Sequence, residues 1–202
     1  NQLDVDKGGY RPKSLQSAHN FHLPDFNYRM RLDALNLEVF GLDQNYVDAK
    51  GIGGGPDGQA EVLAACGYGN WSGLEQRLHE IGRSGEELLS TAAAKGAHNA
   101  SRTRNVLVIQ HYPGVCASLK DKFAGSLPAG ETLDFRCSFG HTHNTVCESG
   151  TDAHCAFSMN GGGGGCCSDD VTKSGAGFSL LTFTPAGGMN IEMVRLGRPC
   201  RF

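Results

Sequence analysis

No stretch of this chain approaches the roughly 18 consecutive apolar residues of a membrane helix, so a helical membrane span is excluded. Charge of one sign is not in excess either. Lys+Arg 18 against Asp+Glu 21 gives a net charge of -3, with a pI near 6.2. That balance points away from nucleic acid or an anionic membrane as partner. No two cysteines stand in CxxC spacing, so a zinc ribbon is excluded. No internal repeat is visible. No signal peptide opens the chain; a secreted protein without one has been processed, or its beginning lies outside this chain.

What the chain does have is glycine and cysteine. Its 29 glycines among 202 residues come in short clusters, which suit tight turns and close backbone approaches better than a flexible linker. The length fits one domain, or a large part of a bigger one. A hydrophobic fraction of 39% with 19% charged residues describes a globule able to bury a core. The cysteines form an even set: Cys66, Cys116, Cys137, Cys147, Cys155, Cys166, Cys167 and Cys200. An oxidised framework is the expectation, and with it a secreted or extracellular location. The adjacent Cys166 and Cys167 are expected in two separate disulfides. Sequons at Asn70-Trp71-Ser72 and Asn99-Ala100-Ser101 agree, making Asn70 and Asn99 candidate glycosylation sites.

Hydrophobic patterning places the elements. An extended lead-in and a strand are expected within 21–32, then a buried strand at Leu37–Leu42 closed by a turn at Asp43-Gln44-Asn45. Residues 50–60 read as a glycine-proline loop. Leu74 to Ala97 has helical periodicity, with Ser84-Gly85 expected to interrupt it and Ser84 to cap a second helix. A buried strand at Val106–Ile109, a short helix at Val115–Phe123, and strands at Thr132–Phe139, near Ala153–Met159, at Gly177–Phe183 and at Asn190–Leu196 follow. The order predicts an α/β layered domain that finishes in a β-meander.

The histidines carry the chemistry. His111 follows the strand 106–109 directly, and His141 and His143 follow the strand 132–139 through Gly140. Strand ends are where α/β folds present functional groups on a fixed backbone. Histidines two apart in an extended segment share a face, and neutral imidazoles suit zinc, iron or manganese better than calcium or magnesium. His19, His22, His79, His98 and His154 have no paired spacing and read as surface or capping residues. Asp43 and Asn45 read as turn formers, and Asp152, Asp169 and Asp170 as solvated loop acids. The run Gly161–Gly165 lacks the Lys-Ser/Thr of a phosphate loop.

VLVIQHYP (106–113) and GHTH (140–143) resemble the last two ligand motifs of the calcineurin-like metallophosphoesterases, with the secreted purple-acid-phosphatase-like enzymes as the nearest branch. FHLPDFNYRM (21–30), LEVFGLDQN (37–45), SMNGGGGGCC (158–167) and GAGFSLLTF (175–183) resemble further segments of that family in the same order. The resemblance implies that residues 1–202 are the C-terminal portion of a single such domain, a layered β-sandwich flanked by helices. It implies that His111 and His141 bind one metal of a dinuclear pair and His143 the other, the metals being iron, zinc or manganese. Such a pair polarises phosphoryl oxygens and activates water for in-line attack on a phosphoester.

The family's first carboxylate motifs are absent from this sequence. Asn1-Gln2-Leu3-Asp4 lies about where its Asn-His motif would fall, so Asn1 is a candidate remnant ligand, with Gln2 where the histidine would stand; a frayed polar end is the competing reading. Without a bridging carboxylate this chain alone would hold one metal or none. The expectation is therefore a metal-dependent, acid-phosphatase-like phosphoester hydrolase, with an N-terminal chain completing the site. The alternatives are a catalytically inactive extracellular module that keeps the fold, and a single-zinc three-histidine site of unrelated hydrolytic chemistry.

Overall fold

The structure, a computed structural model, describes residues 26–51, 56–96, 103–141, 145–160, 177–184 and 188–195. Its centre is a six-stranded sheet in the order β1-β2-β3-β4-β6-β5. Strands β2 (Leu37–Leu42), β3 (Thr103–Gln110), β4 (Thr132–Phe139) and β6 (His154–Asn160) run parallel. The edge strands β1 (Tyr28–Leu32) and β5 (Thr145–Thr151) are antiparallel to their neighbours. A second sheet pairs β7 (Gly177–Phe183) with β8 (Met189–Arg195). The helices are α1 (Pro56–Cys66), α2 (Trp71–Ala94) and α3 (Cys116–Gly125). The α/β class is as the sequence predicts, built on a mixed sheet and a small second one.

Strand alternation divides the core in two. Phe40, Leu42, Val106, Val108, Phe135, Cys137 and Phe139 face the helices and pack on Leu89, Ala92 and Ala93 of α2 and Leu119 and Phe123 of α3. Leu37, Val39 and Leu107 belong to the opposite face, against Leu181, Phe183 and Met189 of the second sheet. Polar groups hold that sheet in place: Asp134 accepts from the Met189 N–H at 3.0 Å, and Arg195 donates to Asp152 at 2.6 and 3.0 Å. The small sheet thus packs face to face on the large one. The expected closing meander is replaced by a β5–β6 hairpin inside the large sheet and a separate β7–β8 hairpin.

Two further expectations change. Ser84-Gly85 does not interrupt the helix, because α2 runs unbroken from Trp71 to Ala94. Gly85 is instead a point of close approach: a Cβ there would lie 2.6 Å from Asn27 Oδ1 and 3.3 Å from Leu42. Asn27 uses the gap, donating to the Ile81 carbonyl at 2.7 Å and to Ser84 Oγ at 2.9 Å, while its own oxygen accepts from the Asp43 N–H at 2.9 Å. Ser84 is therefore part of a helix-to-strand clasp and caps nothing. The loop expected over 50–60 also ends early, since Pro56 starts α1, its missing N–H costing nothing in a first helical turn. Strand β5 escaped the sequence reading because an exposed edge strand shows little alternation.

Among the described residues two disulfides form, Cys116–Cys137 and Cys147–Cys155. Such bonds are compatible with a secreted protein. Cys66 is exposed and pairs with none of the described cysteines; Cys166, Cys167 and Cys200 lie outside the described residues. The first bridge ties the start of α3 to the middle of β4 and is buried at both ends. Replacing Cys116 and Cys137 together by alanine is expected to lower unfolding stability by about 3 kcal/mol, because the bridge closes a loop of some twenty residues in the unfolded chain. Urea unfolding of the double variant measures it.

Asn70 is the N-cap of α2, its side-chain oxygen accepting from the Gly73 N–H at 2.8 Å. A glycan is carried by the amide nitrogen, so capping and glycosylation are compatible at this exposed position. Asn99 lies outside the described residues.

Candidate metal site

Parallel strands present their carboxyl ends on one side of the sheet, and three adjacent ones end here on polar residues. Asp43 follows β2, His111 follows β3 and His141 follows β4. Leu42, Gln110 and Phe139 stand in register across these strands, so the residues beyond them emerge side by side. The Gly140 N–H donates to the His111 carbonyl at 3.2 Å, carrying the strand pairing one step past its end.

That step brings the two imidazoles together. His141 Nδ1 and His111 Nε2 are 3.3 Å apart, with ring centroids 5.2 Å apart. Neighbouring ligands on a tetrahedral zinc, with bonds of about 2.0–2.1 Å, would sit about 3.3 Å from each other. The pair is therefore spaced to share either a proton or an ion of that size. His141 reaches this position from φ +73°, a left-handed conformation that costs a non-glycine residue about 1–2 kcal/mol. Such strain persists where surrounding structure fixes the backbone, and functional sites are where it concentrates.

Tyr112 completes the immediate surroundings. Its ring lies 4.5 Å from that of His141 and 4.9 Å from that of His111, the latter edge-on. Burial first, then the charges of Asp48 and Asp43, hold its phenol pKa above the ordinary value, so it stays a neutral hydrogen-bond donor at physiological pH. Gln110 turns the other way; its amide nitrogen donates to the Tyr112 carbonyl at 2.9 Å, and its buried oxygen has no hydrogen-bond partner. Sequence reasoning passed over Tyr112 and Gln110, although both flank His111 directly.

Asp43 forms the turn expected of it, accepting from the Asn45 N–H at 3.0 Å. Burial raises its pKa, with that hydrogen bond acting in the opposite sense. A carboxyl whose folded-state pKa is raised contributes stability that is present below its unfolded pKa and lost as pH rises through the folded one. Asp43→Asn keeps the acceptor and removes the charge. Its melting temperature is expected to match the parent's near pH 3 and to exceed it increasingly as pH climbs through the ordinary carboxyl range near pH 4. Paired thermal melts across pH measure this, and a difference that stays constant with pH would contradict it.

Of the sequence-predicted ligands, the structure brings His111 and His141 together. His143 and Asn1 lie outside the described residues, as do His19, His22 and His98. Among the described residues no group of three or more His, Cys, Asp or Glu is placed to hold a metal. The His79 ring lies tilted against Tyr46 at 4.9 Å, and His154 bonds Asn190 at 2.7 Å; both histidines are exposed. No protein-family model, curated protein or solved structure matches the chain.

Proposed function

We propose that this chain carries part of the metal centre of a phosphoester hydrolase of the calcineurin-like kind, acid-phosphatase-like and secreted, with His111 and His141 as ligands. The observation that supports this reading most is the 3.3 Å Nδ1 to Nε2 separation at the carboxyl ends of adjacent parallel strands. Neutral imidazoles are apt donors for zinc, iron or manganese, and His143, two residues from His141, would supply the next ligand. A bound transition ion would polarise the phosphoryl oxygens and lower the pKa of attacking water. The chain's own groups would orient the substrate. Tyr112, protonated and lying against both imidazoles, would donate a hydrogen bond to a phosphoryl oxygen, and the His111 and His141 rings would be held by their neighbours in the productive geometry.

A second reading, a disulfide-stapled extracellular module without catalysis, is favoured by one observation. No third ligand and no bridging carboxylate joins the histidine pair among the described residues. Titration with Zn²⁺, Mn²⁺ and Fe²⁺ followed by isothermal calorimetry separates the two. The hydrolase reading predicts micromolar or tighter binding that is lost in His111→Ala; the module reading predicts none in either protein.

A further inference from the structure

Strand alternation places a cavity on the same face of the large sheet as His111. On β3 the helix-facing positions include Val106 and Val108, whereas Leu107 and Ile109 face the second sheet. The next residue of that second set is His111, about 7 Å further along at the ordinary strand rise. Strand β4 gives the same answer independently. Cys137 and Phe139 face the helices, so Ser138 and Gly140 face the second sheet, and a Cβ added to Gly140 would meet His111 Nδ1 at 3.6 Å. The His111 ring thus stands on the side of the sheet that the β7–β8 hairpin covers.

Between the two sheets on that side is a cavity of about 320 Å³, within the range of small-ligand pockets. Leu107 and Ile109 line it from the large sheet and Phe178, Leu181 and Ile191 from the small one, and Ser138, Ser158 and Ser179 contribute hydroxyls. No ionisable side chain lines it among the described residues. Two of its lining residues are open to solvent: Ile109 is 43% and Phe178 48% exposed. Two of these hydroxyls are engaged with the protein, Ser158 donating to the Cys137 carbonyl at 3.2 Å and Ser179 meeting the Met193 sulfur at 3.3 Å.

We infer that this cavity receives the apolar leaving group of the substrate, which makes the preferred substrate an aryl or acyl-bearing phosphoester in place of a sugar or amino-acid phosphate. The inference rests on the hydrolase reading for its chemistry and on the cavity alone for its binding. An anionic phosphoryl group belongs beside the imidazoles; an uncharged, apolar remainder belongs between Ile109 and Phe178, where a charged one would lose its hydration without a partner. In the reaction the oxygen of water bonds to phosphorus as the phosphorus–oxygen bond to the leaving group breaks. The released alcohol or phenol keeps the bridging oxygen and takes up a proton, and the attacking water gives up one to solvent as its oxygen becomes part of the phosphate.

The test uses the full chain as purified, with 1-naphthyl phosphate and glycerol 1-phosphate as substrates and 1-naphthol as a non-reacting fluorescent probe. Naphthyl phosphate is expected to have a KM about tenfold or more below that of glycerol phosphate, the effect of burying one apolar group. Ile109→Asp is expected to raise the naphthyl phosphate KM about tenfold more than the glycerol phosphate KM. Phe178→Asp, on the other wall, guards against a folding defect peculiar to one variant. If neither substrate turns over, the hydrolase reading fails, and naphthol decides the cavity: saturable binding weakened by both variants upholds it. Absence of naphthol binding, as when the chain's own residues fill the space, or equal KM values insensitive to Ile109→Asp, overturns it.

Discussion

Glu38→Leu is expected to lower unfolding stability by about 4 kcal/mol, the cost of leaving a buried charge without its partner. The charge is Arg104, 2% exposed. Its guanidinium pairs with Glu38 across the β2–β3 boundary, donates to the Ala93 and Ala92 carbonyls at 3.0 and 3.1 Å, and lies 5.2 Å over the Phe123 ring. Ala92 and Ala93 are in the last turn of α2, where carbonyls lack helical partners and the dipole favours a cation. One side chain therefore joins two strands and two helices. Once Glu38 is gone the nearest carboxylate is Glu131 at 3.8 Å, too long for a close pair. Arg29, the other partner of Glu38, is more exposed and returns to water. The double variant Glu38→Leu/Arg104→Met is expected to recover more than half of the loss, because an apolar pair replaces an ion pair with neither charge stranded. Urea unfolding of both proteins measures this; a double variant as unstable as the sum of its singles would contradict it.

His141→Gly is expected to weaken transition-metal binding about a hundredfold or more, as removal of a ligand should, while leaving thermal stability equal or slightly raised. The two effects separate because they have different causes. Under the proposed reading metal affinity depends on the imidazole placed 3.3 Å from His111. Stability at this position is governed by φ +73°, which glycine adopts without the strain a side chain imposes. His111→Ala shares the first effect without the second, since His111 is not at a positive φ. Calorimetric metal titration and thermal melts of the two variants check both halves. A stability loss in His141→Gly comparable to the loss in a core variant would show that the ring is structural.

Several elements were legible before any coordinates. Leu37–Leu42, Thr132–Phe139 and Gly177–Phe183 fall where patterning puts them, because long apolar or alternating runs have few other ways to bury themselves. Where glycine meant close packing it was misread. Gly85 looked like a helix break, and its real cause, the Asn27 side chain, lies 58 positions away in sequence. The β7–β8 hairpin was legible as strands but not as a second layer, since face-to-face packing leaves no local trace. At the site, the pairing of His111 with His141 was foreseeable because each follows a buried strand. That β3 and β4 are neighbours in register is what brings the rings together, and no spacing states it. Asp43 comes to the same end of the sheet because β2 and β3 pair in register, whereas Tyr112 stands beside His111 by simple adjacency in the chain.

Metal content and phosphomonoesterase turnover of the natural protein, purified with its intact mass recorded, test the central claim most directly. The account predicts tightly bound iron, zinc or manganese together with turnover of a generic aryl phosphate, both lost when His111 and His141 are replaced. A full-length protein that holds no metal and turns over no phosphoester would contradict it.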